Sequence, residues 1–342
     1  MKRASLVLPI EMWVGLYLLL YLPNVMVTRW VTTNPHPTLG RPLTGLETLP
    51  ASLIISLVMT YIFIWWSGWY RDANTIDVAG RKIPFPTGLT FLSGIGTAMI
   101  LFTVPLSFTI RDVSIPFMQL LMRGDILLIA PLLDMAFGRK VRWWSWVALV
   151  MVLGALALTL LDRGGFKLPP IAILTIVLYT VGYFLRLAVM NRISKDGNPA
   201  SVRRYFVEEK IIALPLSVVA LAVISASGIG GQSDELSWGF VHVWTDPVML
   251  ELLAIGGTLT LISIVSIIIL LDPRENAYCV PLERAASLVA GVGGSVLLAL
   301  FWQGEMPSNA ELVGAVILIA AIALLSLAPR YSSKVKVQPQ GV

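Results

Sequence analysis

PFMQLLMRGDILLIAPLLDMAFGRKVRWWSWVALVMVLGALALTLL, residues 116–161, holds two long apolar runs around a short basic turn. A helix rises 1.5 Å per residue, so about 20 apolar residues cross a hydrocarbon core of ~30 Å. Each run is of that length, and the turn GRKVR at 138–142 carries the cations expected of a cytoplasmic connection. The first run also contains Arg123 and Asp125. A charge at the bilayer centre costs about 2.5–3.5 kcal/mol on insertion scales. Residues two apart lie about 200° apart around a helix, so these two cannot neutralise each other directly. Each must meet a partner on another helix or face a wet cavity.

The rest of the chain repeats the pattern. Of 342 residues, 56% are hydrophobic and 13% charged, about half the charge of an ordinary soluble domain. The reading is an all-α polytopic membrane protein with ten transmembrane helices, near 6–30, 50–70, 87–110, 114–137, 143–161, 169–190, 207–227, 247–271, 277–301 and 309–328. The apolar N-terminal run continues to about Trp30 without a small-residue cleavage site, so it reads as a retained first helix. With the single Cys279 no intramolecular disulfide can form.

Ten spans put both termini on one side. If that side is the cytoplasm, 17 Lys and Arg residues fall in inner segments, 5 in outer ones, and Arg123, Arg186 and Arg284 within spans. This asymmetry places both termini inside, and a bacterial inner membrane is the expected location. The net charge of +5 is thereby a topology signal, and no nucleic-acid partner is expected.

An internal repeat follows at a spacing of 161 to 162 residues. Gly96-Thr97 and Gly257-Thr258 each precede an intramembrane arginine, Arg123 and Arg284, by 26 residues counted from the Thr. Tyr17, Tyr21 and Asn24 have the i, i+4, i+7 spacing of one helix face, and Tyr179, Tyr183 and Arg186 repeat it 162 residues later. Gly154 and Gly314 also pair. The expected units are residues 1–165, residues 166–330 and a cytoplasmic tail, 331–342. Five spans is an odd number, so the halves form two inverted five-helix repeats, an arrangement many secondary transporters use.

Residues 116–161 resemble the close of the first half in the drug/metabolite transporter superfamily. The matching close of the second half is LERAASLVAGVGGSVLLALFWQGEMPSNAELVGAVILIAAIALL, residues 282–325, with the short polar loop Gly304-Glu305. The resemblance implies a secondary transporter that moves a small anionic or amphiphilic metabolite by alternating access. The long loop TTNPHPTLGRPLTGLETLP after the first span departs from the family's tight connection. Loop 31–49 is therefore a place for lipid handling, a homodimer contact or another partner.

The substrate-binding residues expected on this reading are Arg123, Arg284, Asp125, Tyr179, Tyr183 and Arg186. Guanidinium groups bind carboxylate and phosphate bidentately. The structural alternative for Arg123 is an interhelical bond to neighbours such as Glu283. Arg186, near the inner end of its span, could snorkel, and the tyrosines could simply pack. Trp13, Trp30, Trp65, Trp66, Trp69, Trp143, Trp144 and Trp146 near span ends read as an aromatic belt. His36 and His242, without a carboxylate or Cys cluster, make no metal site, and no phosphate-binding glycine loop is present. No cofactor is expected. The rival readings are a transporter-like fold retained as a non-transporting subunit or scaffold, and a lipid-modifying enzyme using Asp272, Arg274 and Glu275. The last three read better as a turn, so no enzyme is expected.

Overall fold

The computed structural model describes residues 9–110, 113–122, 124, 143–162, 168–193, 198–228, 231–271, 276–302, 304 and 306–335. Arg123 and Asp125, the enzyme candidates Asp272, Arg274 and Glu275, and Glu305 lie outside them. The helices are α1 (Ile10–Thr33), α2 (Gly45–Ser67), α3 (Gly88–Thr109), α4 (described over 115–122), α5 (Trp143–Asp162), α6 (Pro170–Ile193), α7 (Pro199–Ala226), α8 (Gly231–Val241), α9 (Met249–Leu270), α10 (Asn276–Trp302) and α11 (Asn309–Val335). Eight of these are long and apolar enough to cross a membrane. The protein is an all-α polytopic membrane protein.

Its surface is inverted relative to a soluble protein. Trp65, Trp66, Leu161 and Leu250 are three-quarters exposed or nearly so, while Ser52, Ser56 and Thr60 of α2 and Ser93, Thr97, Thr103 and Ser107 of α3 are buried. In lipid, apolar side chains gain nothing by turning inward, so small and hydroxyl-bearing residues take the helix–helix contacts. Ser56 and Thr60 lie on the same face as the contact with α9, where Ser56 Oγ and Thr260 Oγ1 are 2.9 Å apart. α1 packs on α9 and α10, α3 on α6 and α7, α2 on α7, α8 and α9, and α5 and α10 on α11. At the α3–α6 crossing Gly96 faces Gly182 so closely that a Cβ on either would lie 2.5 Å from the other's carbonyl oxygen.

The connections differ from simple turns. Between α2 and α3 the chain forms an antiparallel hairpin, β1 (Thr75–Val78) with β2 (Arg81–Pro84). Its two-residue turn puts both Ala79 and Gly80 at positive φ, as a type I′ turn requires. α2 runs from a capping box of Thr44 and Glu47 to an αL cap at Gly68. Its 23 residues span ~34 Å, so the hairpin and α8, which packs at the start of α2 through Gly239, sit at opposite ends of the bundle.

The stretch between the expected seventh and eighth spans, 228–246, contains α8. The loop after α1 is tied down within the chain. His36 Nε2 lies 2.7 Å from Asp246 Oδ1, Arg41 binds Glu47 through two nitrogens at 2.6 and 3.0 Å, and Thr44 donates to Glu235 at 2.8 Å. The hydrogen bond to Glu47 and its charge raise the Arg41 pKa. The polar residues that set this loop apart in the sequence are spent on α2, α8 and the start of α9.

Candidate functional site

A cavity of about 70 Å³ lies halfway along the helices, where α1, α3, α6, α7, α9 and α10 meet. It has room for a handful of waters, each needing ~10–15 Å³ measured this way. α1 contributes Tyr17, Tyr21 and Asn24, and α6 contributes Tyr179, Tyr183 and Arg186. Both triplets follow one helix face, and that spacing brings each set to the cavity together. The rings pair within each helix, Tyr17 with Tyr21 at 5.4 Å and Tyr179 with Tyr183 at 5.9 Å between centroids. Asn24 donates to the Ile255 carbonyl and to Thr258 Oγ1 at 3.0 and 2.8 Å. It thereby locks α1 to α9 just after Pro23.

Four of the six expected substrate residues, Arg284, Tyr179, Tyr183 and Arg186, line this one cavity. The other two, Arg123 and Asp125, lie outside the described residues. The Arg284 guanidinium is buried over the Tyr183 ring, 3.4 Å from its centroid and 5.2 Å from that of Tyr179. Such stacking stabilises a desolvated cation by about 2 kcal/mol or more. Arg186 does not snorkel. It is 5% exposed, and its Nε donates to Glu209 Oε1 at 2.9 Å.

Three charged residues here lie outside the expected substrate set: Glu209, Lys210 and Glu283, the last expected only as a bonding partner of Arg123. Glu209 Oε1 also accepts from Thr97 at 2.6 Å and from Tyr205 at 3.1 Å, so α3, α6 and α7 converge on one oxygen. Its other oxygen, Oε2, has no hydrogen-bond partner and lies 3.5 Å from Lys210 Nζ. Glu283 accepts from Tyr183 at 2.8 Å and Ser266 at 2.6 Å. A buried carboxylate survives desolvation only with such partners. The seventh span is expected near 207–227, which puts Lys210 at its cytoplasmic edge among the inner cations. α7 begins eight residues earlier, at Pro199 after an Asn198 cap, which puts Lys210 ~16 Å along the helix. The signal was present: Asn followed by Pro at the first helical position marks a helix start.

Among the described residues, no three His, Cys, Asp or Glu side chains are placed to hold a metal ion. What the site offers is a small tyrosine-lined space with three cations, Arg186, Lys210 and Arg284, and one carboxylate, Glu283, on its wall, and a second carboxylate, Glu209, paired with Arg186 and Lys210 behind them. That arrangement can hold an anionic group.

No family model and no curated protein matches this sequence. A solved structure described only as "Crystal structure of protein" superposes with a TM-score of 0.53 at 13% identity. The fold is shared. The superposition covers 93% of this chain and 98% of that one, so the likeness embraces the whole helical body.

Proposed function

We propose that the protein is a secondary transporter of the drug/metabolite type, with ten spans in two inverted five-helix repeats. Its substrate is a small anionic or amphiphilic metabolite, carried by alternating access. The observation that carries the reading is the cavity itself. It lies where α1 and α3 of the first half meet α6 and α9 of the second, and three of the four charged residues on its wall, Arg186, Lys210 and Arg284, are cations.

The helix contacts support the repeat. Exchanging halves, α1 on α9 corresponds to α6 on α3, and α2 on α9 to α7 on α3. Gly94 of α3 meets Ile212 and the Glu209 carbonyl on α7. Gly256 of α9, 162 residues later, meets Ile55 and the Ser52 carbonyl on α2. Like contacts at like positions are what a pseudo-two-fold axis in the membrane plane produces.

The test is a thermal-shift screen of the purified protein over anionic metabolites, followed by counterflow in proteoliposomes with the compounds that bind. At least one should both stabilise the protein and exchange across the vesicle, and Arg284→Met should lose both. A ligand that binds tightly but never exchanges would overturn transport in favour of a non-transporting subunit.

A further inference from the structure

Among the described residues Lys210 is the most deeply buried cation, and its partners are poor. It is 1% exposed on the cavity wall, its contact with Glu209 Oε2 is a long 3.5 Å, and the Phe206 ring centroid is 5.8 Å from Nζ. An ammonium has three donors, and desolvating it costs several kcal/mol unless they are used. Across the same carboxylate, Arg186 spends its Nε on Glu209 Oε1. Two cations on two helices therefore share one carboxylate, and one of its oxygens has no hydrogen bond.

We propose that Lys210 and Arg186 are the recognition point for the ligand's anionic group, and that Glu209 is a tethered stand-in occupying that point while the cavity is empty. This rests on the transporter reading and names which of its cations does the binding. A carboxylate, phosphate or sulfate entering the cavity supplies the acceptors that Lys210 lacks and competes with Glu209 for Arg186. Glu209 keeps Thr97 and Tyr205 as donors when it yields. The internal carboxylate thereby sets the affinity. It holds the two cations together without ligand, and it makes weakly binding anions leave.

The assay is thermal unfolding of the full-length detergent-purified protein titrated with sulfate, inorganic phosphate and acetate, with chloride added to constant ionic strength. Removing one member of a buried charge pair leaves the other uncompensated. Glu209→Gln should therefore lower the melting temperature without anion, and anion should restore it at concentrations at least tenfold below those that act on wild type. Lys210→Met, with Lys210→Gln as a second variant if it does not purify as a monodisperse species, should fold and lose the anion response. If both Lys210 variants respond like wild type, or Glu209→Gln responds more weakly, the assignment of Lys210 and Glu209 is overturned while an anion site at Arg284 still stands. If neither wild type nor Glu209→Gln responds to any of the three anions, the proposal and the anionic part of the transporter reading both fall.

Discussion

Gly182→Ala probes the crossing on which the cavity depends. A Cβ at Gly182 would lie 2.5 Å from the Gly96 carbonyl oxygen and 2.9 Å from the Met99 Cβ. Ordinary contact is about 3.4 Å, so α3 and α6 must part by roughly 0.9 Å, because the obstacle is backbone and cannot swing away. Overpacking of this kind costs about 1–3 kcal/mol. The same separation moves Thr97, next to Gly96, away from Tyr183 and Arg186, which follow Gly182 by one and four residues. The expected result is a stability loss of about 2 kcal/mol in reversible denaturant unfolding in mixed micelles. Gly96→Ala should match it, since its Cβ meets the Gly182 carbonyl at the same 2.5 Å. Gly257→Ala is the control: its nearest contact is the flexible Met59 sulfur at 3.4 Å, so stability should hold or rise slightly through helix propensity. If Gly182→Ala is as stable as Gly257→Ala, the close α3–α6 approach is refuted.

Gly94→Ala and Gly256→Ala should destabilise by similar amounts, about 1–3 kcal/mol each, because both would press a Cβ to 2.7 Å from an isoleucine Cβ; a large effect at one alone would count against the repeat. Glu208 accepts from the Asn74 and Thr87 backbone amides at 3.0 and 3.4 Å and from Thr90 Oγ1 at 2.8 Å, so Glu208→Ala should raise hydrogen exchange across 74–90 while exchange in α9 stays unchanged. Thr44→Ala removes the α2 cap and the bond to Glu235 and should lower stability by about 1 kcal/mol, measured as a shift in unfolding midpoint. In a Cys279→Ala background, cysteines at Asp77 and Gln232, both exposed, should react with an impermeant maleimide from opposite sides of the membrane; labelling of both from outside would refute the topology.

The membrane class and most helix positions could be read from composition and span length, because lipid imposes a length and a polarity that few soluble folds share. The tyrosine triplets were legible for a related reason: i, i+4, i+7 spacing fixes a face whatever the tertiary contacts turn out to be. What that face meets is not written locally. Asn24 looked like a packing residue beside a proline, yet it bonds across 231 residues of chain to Ile255. Lys210 is misplaced by a rule that reads charge clusters as membrane boundaries, a rule that fails when charges on one helix are matched by those on another. The pairing of Gly154 with Gly314 illustrates the converse. The first has open space around it, whereas the second packs against Thr159 and Leu120, so a sequence match between them carries no common contact.

Glu208, Glu209 and Lys210 stand consecutively in α7, all essentially inaccessible. A segment carrying three adjacent charges partitions poorly from the translocon into lipid, at about 2.5–3.5 kcal/mol for each uncompensated charge near the middle. Their partners belong to earlier parts of the chain: Asn74, Thr87 and Thr90 for Glu208, and Thr97 and Arg186 for Glu209. All of these precede α7 in the chain and are synthesised before it. The order of synthesis therefore supplies α7 with a prepared polar seam, and the helix least fitted to enter the bilayer alone arrives when its counter-charges are already waiting.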